Sequence, residues 1–201
     1  MKSWTLVALA PLALTACSVD LVPVSPARVA SAKNAGKPVD RSPAAAGRFE
    51  KTWSFDQQGG FRYDPTRVEV SAGLARAKAA EGKFSSDKSV LETSSGRPFE
   101  VLIGFTEETG PGNQGKVRYQ LSTDGSKWFW YDGKKWTAAA QGPTQANTAE
   151  EVNRTIGVFH EDAGHGRLLV KAYLVSPTGK EPVELKSFTV IGVAPKTDGW
   201  D

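Results

Sequence analysis

From Phe49 onward the bulky apolar residues fall at even separations. In Phe49-Glu50-Lys51-Thr52-Trp53-Ser54-Phe55 the rings at 49, 53 and 55 lie an even number of residues apart. That spacing puts them on one side of an extended strand, whereas a helix would scatter them around its axis. Further strands are legible at 67–70, 74–78, 99–105, 117–122, 127–131, 167–175 and 183–191, with turn residues between them. Many short strands so separated predict antiparallel pairing and argue against a parallel sheet, which needs a long crossover between neighbours. The expected fold is all-β, an antiparallel β-sandwich of the jelly-roll kind with one short helix, over residues 48–195.

The centre of the chain is the most explicit. Asp124-Gly125 and Asp132-Gly133 frame Lys127-Trp128-Phe129-Trp130-Tyr131, and Lys135-Trp136-Thr137 follows. Asp-Gly pairs favour the positive φ angles of tight hairpin turns, so three consecutive antiparallel strands are expected here. Trp128 and Trp130 then share one face and Phe129 and Tyr131 the other, one pair filling the core and the other facing solvent or a loop. Trp128, Trp130, Tyr131 and Trp136 are the candidate ligand-binding residues. An exposed indole offers a flat, electron-rich platform to the apolar face of a sugar, with Lys or Asp beside it for the hydroxyls. The competing interpretation is that large aromatics at alternating strand positions are core.

One helix is expected among the strands. Thr148-Ala149-Glu150-Glu151 has the form of a capping box, and Val152, Ile156 and Phe159 recur at helical spacing behind it. The buried stripe is wholly apolar, which a catalytic helix would interrupt with polar groups.

At the N-terminus, Lys2 precedes an apolar run from Trp4 to Leu14, too short to span a bilayer core of about 30 Å as a helix. Leu14-Thr15-Ala16-Cys17 ends it and contains the only cysteine of the 201 residues. The motif resembles the lipobox of bacterial lipoproteins. That resemblance implies removal of residues 1–16, a diacylglycerol thioether on Cys17 as lipidation site, and attachment to a membrane by acyl chains, each buried methylene contributing about 0.8 kcal/mol. Ser18 follows where an aspartate would resemble an inner-membrane retention signal, so the outer membrane is the expected location. Residues 17–47 carry Pro23, Pro26, Pro38 and Pro43 and no aromatic ring, a composition that cannot offset its own ordering entropy. They are expected to form a flexible tether, and residues 196–201 a flexible tail. The formal charge of +3 is mild and its signs are interspersed, so nucleic acid is not an expected partner.

Phe61-Arg62-Tyr63-Asp64, Val68-Glu69-Val70, Gly73-Leu74-Ala75-Arg76-Ala77-Lys78, and the run from Tyr119 through Trp136 are similar to jelly-roll modules repeated in bacterial surface and adhesin-like proteins. Asn147-Thr148-Ala149-Glu150-Glu151-Val152-Asn153, Leu169-Val170-Lys171-Ala172-Tyr173-Leu174-Val175-Ser176 and Val183-Glu184-Leu185 extend the likeness across most of 49–191. It implies a display or binding role and transfers no ligand residues.

Sharper motifs fail on detail. Gly110-Pro111-Gly112-Asn113-Gln114-Gly115-Lys116 has phosphate-loop spacing, but Val117 stands where Ser or Thr must bind magnesium, and a strand follows instead of a helix. His160-Glu161-Asp162-Ala163-Gly164-His165 places its histidines five apart, not four, and so lacks the zinc-protease geometry. A solvated turn accounts for these residues; if the loop held Ca2+, Glu161 and Asp162 would be its first ligands. There is no Gly-x-Ser-x-Gly elbow, and Glu107 and Glu108, adjacent on a strand, would face opposite ways. The expectation is a non-catalytic binding or adhesion module on an outer-membrane lipoprotein, with a glycan or an envelope protein as partner. A structural component of an outer-membrane complex and a carbohydrate-active enzyme are the alternatives.

Overall fold

The computed structural model describes residues 47–56 and 59–196. Cys17, the leader, the tether up to residue 46 and the tail from residue 197 lie outside the described residues. In chain order the first strands are β1 (Arg48–Ser54), β2 (Phe61–Tyr63), β3 (Val68–Ser71), β4 (Leu74–Ala77), β5 (Ala79–Ala80), β6 (Lys83–Phe84), β7 (Val90–Thr93) and β8 (Arg97–Phe99). Then come β9 (Val101–Thr109), β10 (Lys116–Ser122), β11 (Trp128–Tyr131), β12 (Trp136–Ala138), the helices α1 (Ala149–Thr155) and α2 (Phe159–Ala163), β13 (Gly166–Val175) and β14 (Glu184–Val193).

The fold is all-β and its strand pairs are antiparallel. A five-stranded sheet is organised around β14, which pairs with β9 along one side and with β1 and β4 end to end along the other; β3 extends from β4. A seven-stranded sheet runs β12-β11-β10-β13, with β7 and β8 both on the far side of β13 and β2 beyond β7. Strands β5 and β6 make a separate hairpin.

One hydrophobic core takes side chains from both sheets. Phe105 and Phe188 of the five-stranded sheet stack at 5.8 Å, and Tyr119 of the seven-stranded sheet meets them edge-on at 4.7 and 5.8 Å. Each such ring contributes about 1.5–3 kcal/mol by leaving water. Alternation alone would not bring Leu185 and Phe188 to the same face, since they are three residues apart. A bulge between Leu185 and Ser187 resets the phase, and both side chains are buried. Near the other end of β14, Gly192 lets the Phe49 ring and the backbone of β9 close in: a Cβ there would lie 2.8 Å from both Phe49 Cζ and the Val101 carbonyl oxygen.

The capping box forms as its sequence requires. Thr148 Oγ1 accepts from the Glu151 amide at 3.3 Å, and Glu151 Oε2 accepts from the Thr148 amide at 2.8 Å. Val152, Ile156 and Phe159 are fully buried, though the helical stretch is divided into α1, a 3-10 turn at Ile156–Val158 and α2. Helix α1 lies along β9, where Asn153 Oδ1 accepts from the Phe105 amide at 2.9 Å and so occupies a donor of that edge strand.

The three-stranded meander β10-β11-β12 is present, but its turns differ from the tight form expected. The connections span residues 123–127 and 132–135, and only the glycine of each pair takes a positive φ, 79° at Gly125 and 98° at Gly133. Each aspartate instead ties down two amides ahead of it. Asp124 Oδ1 accepts from Ser126 and Lys127 at 2.7 and 3.0 Å, and Asp132 Oδ1 from Lys134 and Lys135 at 2.9 and 3.0 Å.

Candidate binding face

The core consumes one face of the seven-stranded sheet and leaves the alternate positions on the other. Tyr119, Leu121, Val170, Ala172 and Leu91 point inward and are buried. Between them, Gln120 on β10 stands opposite Lys171 on β13, Lys171 opposite Glu92 on β7, and Glu92 opposite Arg62 on β2. Four adjacent strands thus carry one continuous polar row, about 14 Å long at the usual strand spacing.

The members of the row are held in different ways. Gln120, 1 % exposed, donates from Nε2 to the carbonyls of Ala140 and Gln145 at 2.9 and 2.8 Å, and its Oε1 accepts from the Tyr173 hydroxyl at 3.1 Å. These bonds fasten the loop 139–147 over one end of the row. Lys171 Nζ lies 3.8 Å from Glu92 Oε2 and 4.0 Å from the centroid of the Trp128 ring. Burial draws the Lys171 pKa below its ordinary value, and the Glu92 charge opposes that shift. Glu92 also accepts a short hydrogen bond from Arg62 Nη2, so one carboxylate serves two cations.

Three shallow depressions of about 500, 520 and 580 Å3 lie over this face and adjoin one another through Gln141, Ser126 and Arg62. Trp128 and Lys171 line the first of them.

The four aromatic candidates separate. Trp128 is on the outer face, 9 % exposed, with Lys171 over its ring. Trp130 is half-buried, and among the described residues its Nε1 is shielded from solvent without a hydrogen-bond partner. Tyr131 and Trp136 correct the sequence expectation of a surface platform. Trp136 is 2 % exposed, donates its indole N–H to the Thr155 carbonyl at 3.0 Å and packs edge-on against Phe159 at 5.0 Å. Tyr131, half-buried, meets Trp136 edge-on at 6.0 Å on the same inner side. The reason is parity: both rings share the core-facing side with Phe129, and the helical stretch closes over them.

The other motifs also resolve. Asp162 Oδ2 accepts from the Trp136 amide at 2.8 Å, Glu161 is exposed, and the His160 and His165 rings lie 5.5 Å apart. Among the described residues no three His, Cys, Asp or Glu side chains cluster as a metal site. In the glycine-rich loop the Gly112 amide donates to Glu184 Oε2 at 2.9 Å, while Glu184 Oε1 accepts from Arg76 Nε at 2.9 Å. The Gly112 amide thus meets a side-chain carboxylate, while the Gln114 and Gly115 amides donate to the Pro182 carbonyl. Glu107 and Glu108 do diverge, to Tyr119 and Lys186 respectively.

Lys171, Glu92, Gln120 and Arg62 were not singled out from the sequence. Lys171 carried a signal, as the charged position in an otherwise apolar alternation from Leu168 to Leu174. Glu92 carried none, because Val90 and Leu91 are adjacent apolar residues and Val90–Thr93 shows no alternation. Compared with known protein families, curated proteins and solved structures, the chain matches none.

Proposed function

We propose that this chain is an outer-membrane lipoprotein, tethered through Cys17, whose two sheets form a jelly-roll sandwich that binds a glycan on the outer face of the seven-stranded sheet. The observation that carries the reading is the polar row Gln120-Lys171-Glu92-Arg62 with Trp128 beside it, beneath depressions open to solvent. Sugars are recognised by clustered donors and acceptors held rigid next to an aromatic ring, and a row across four paired strands is rigid by construction. The role is binding, not turnover: Glu92 is the one carboxylate of the row and is engaged by two cations. The sequence Leu14-Thr15-Ala16-Cys17 supports the anchor.

The test is a glycan array probed with the purified full chain and with Lys171→Ala and Trp128→Ala. Binding that both substitutions weaken is the expected result; silence on every glycan, or binding indifferent to both changes, removes the reading. Cell fractionation of Cys17→Ser tests the anchor separately. Release from the membrane fraction supports it, and retention counts against it.

A further inference from the structure

The depression at Lys171 has a definite charge. Its lining includes Lys127, Lys171, Ser126 and Gln141, and it includes neither aspartate nor glutamate. Lys171 is only 13 % exposed, and its ammonium is paired loosely, with Glu92 Oε2 at 3.8 Å. An ammonium has three donors, and a single carboxylate at that distance leaves capacity for an anion in the hollow that Lys171 lines. Lys127 is exposed, but its Nζ lies 4.9 Å from the centre of the core-facing Phe129 ring, so its ammonium is directed to the other side of the sheet from Lys171. The closest acids are already engaged. Glu92 is shared with Arg62, and Asp124 Oδ1 takes the Ser126 and Lys127 amides.

The position of Lys171 also changes what Trp128 can do. With the ammonium 4.0 Å from the ring centroid, the indole face on that side is covered by a cation. A neutral sugar stacking there would have to displace it. An anionic substituent would meet it directly, and the aromatic ring beneath would hold the ammonium in place.

We infer that this depression receives the anionic group of an acidic glycan, a carboxylate or a sulfate ester, with Lys171 as the principal contact and Ser126 and Gln141 around it. This deepens the proposed glycan-binding role and rests on it. The acidic chain would continue along the row toward Arg62, which offers a second cation at the far end.

The experiment is calorimetric titration of the full chain with three oligosaccharides of equal length: an oligogalacturonate, a sulfated galactan and a neutral galactan. The acidic probes are expected to bind at least about tenfold more tightly than the neutral one and to lose that margin as sodium chloride is raised. A preference for galacturonate over sulfate identifies carboxylate as the group, and the reverse identifies sulfate. Lys171→Met keeps a flexible apolar chain over Trp128 and is expected to abolish the acidic preference while leaving the melting temperature near wild type. Glu92→Gln, which removes the competing carboxylate and keeps an acceptor for Arg62, is expected to tighten acidic binding. If the neutral galactan binds as well as the acidic probes, or Lys171→Met retains the preference, the inference falls and glycan binding stands. If no probe binds and the array is also silent, both fall.

Discussion

The Tyr119 hydroxyl donates a 2.8 Å hydrogen bond to Oε2 of Glu107, joining a fully buried ring of the seven-stranded sheet to the edge strand of the five-stranded one. Desolvation raises the Glu107 pKa, the Tyr119 hydrogen bond partly offsets this, and the phenol itself is held protonated well above its ordinary value. A raised carboxyl pKa means that the folded chain prefers the protonated acid. Its favourable contribution is whole below the unfolded pKa and is lost as pH rises through the folded one. Glu107→Gln is therefore expected to be at least as stable as wild type at pH 7, with the difference vanishing at acid pH in denaturant titrations. Tyr119→Phe is expected to cost about 1–2 kcal/mol and to raise the Glu107 pKa further.

Trp136 and Trp128 are expected to respond oppositely to truncation. Trp136→Ala leaves a cavity against Phe159 and Tyr131 and orphans the Thr155 carbonyl, a loss of about 3–5 kcal/mol by chemical denaturation. Trp128→Ala lies outside the core cluster, and its effect should register in ligand binding and in the mobility of Lys171 before it registers in unfolding. Equal destabilisation by both would show that the outer face is as structural as the inner.

At the start of α1, Thr148→Ala is expected to cost about 1 kcal/mol. Because Thr148 and Glu151 satisfy each other's amides, the double variant with Glu151→Ala should lose less than the sum of the single losses, measured by a thermodynamic cycle of urea midpoints.

Gly192→Ala places a methyl group 2.8 Å from the Val101 carbonyl oxygen and from the Phe49 ring. Backbone cannot yield as a side-chain tip can, so a loss of about 1–3 kcal/mol is expected. Hydrogen exchange of β1 and β9 should accelerate together, since the methyl wedges both away from β14.

Two carboxylates should stay ionised in acid. Glu181 accepts from the Thr178 hydroxyl at 2.5 Å, the Ser176 hydroxyl at 2.7 Å and the Thr178 amide at 2.9 Å, and Asp124 accepts from the Lys127 and Ser126 amides; these bonds lower each pKa to about 2. Depressed carboxyl pKa values give stability that is present above the unfolded pKa and is lost as pH falls through the folded one. Carboxyl carbon shifts followed by NMR from pH 5 to pH 2 should show both residues titrating last. Ordinary midpoints would mean that the Asp124 turn and the 176–181 loop are open in solution.

Local rules were enough for local features. The alternation at 49–55, the capping box at Thr148 and Glu151, the meander and the divergence of Glu107 from Glu108 follow from backbone periodicity and nearest-neighbour hydrogen bonding, which the sequence carries within a few residues. Strands β2, β5, β6, β7 and β8 did not show: they are two to four residues long and defined by their partners, whereas β11 and β12, equally short, adjoin Asp-Gly pairs that mark their ends. Periodicity also states that Trp128 and Tyr131 face opposite ways without saying which way is in. That choice was made by packing, when Phe159 closed over Trp136 and turned Trp128 outward. The polar row is wholly tertiary. Arg62, Glu92, Gln120 and Lys171 are 28 to 109 residues apart along the chain and become neighbours only because β2, β7, β13 and β10 pair in one register, so their shared chemistry exists only once the sheet does.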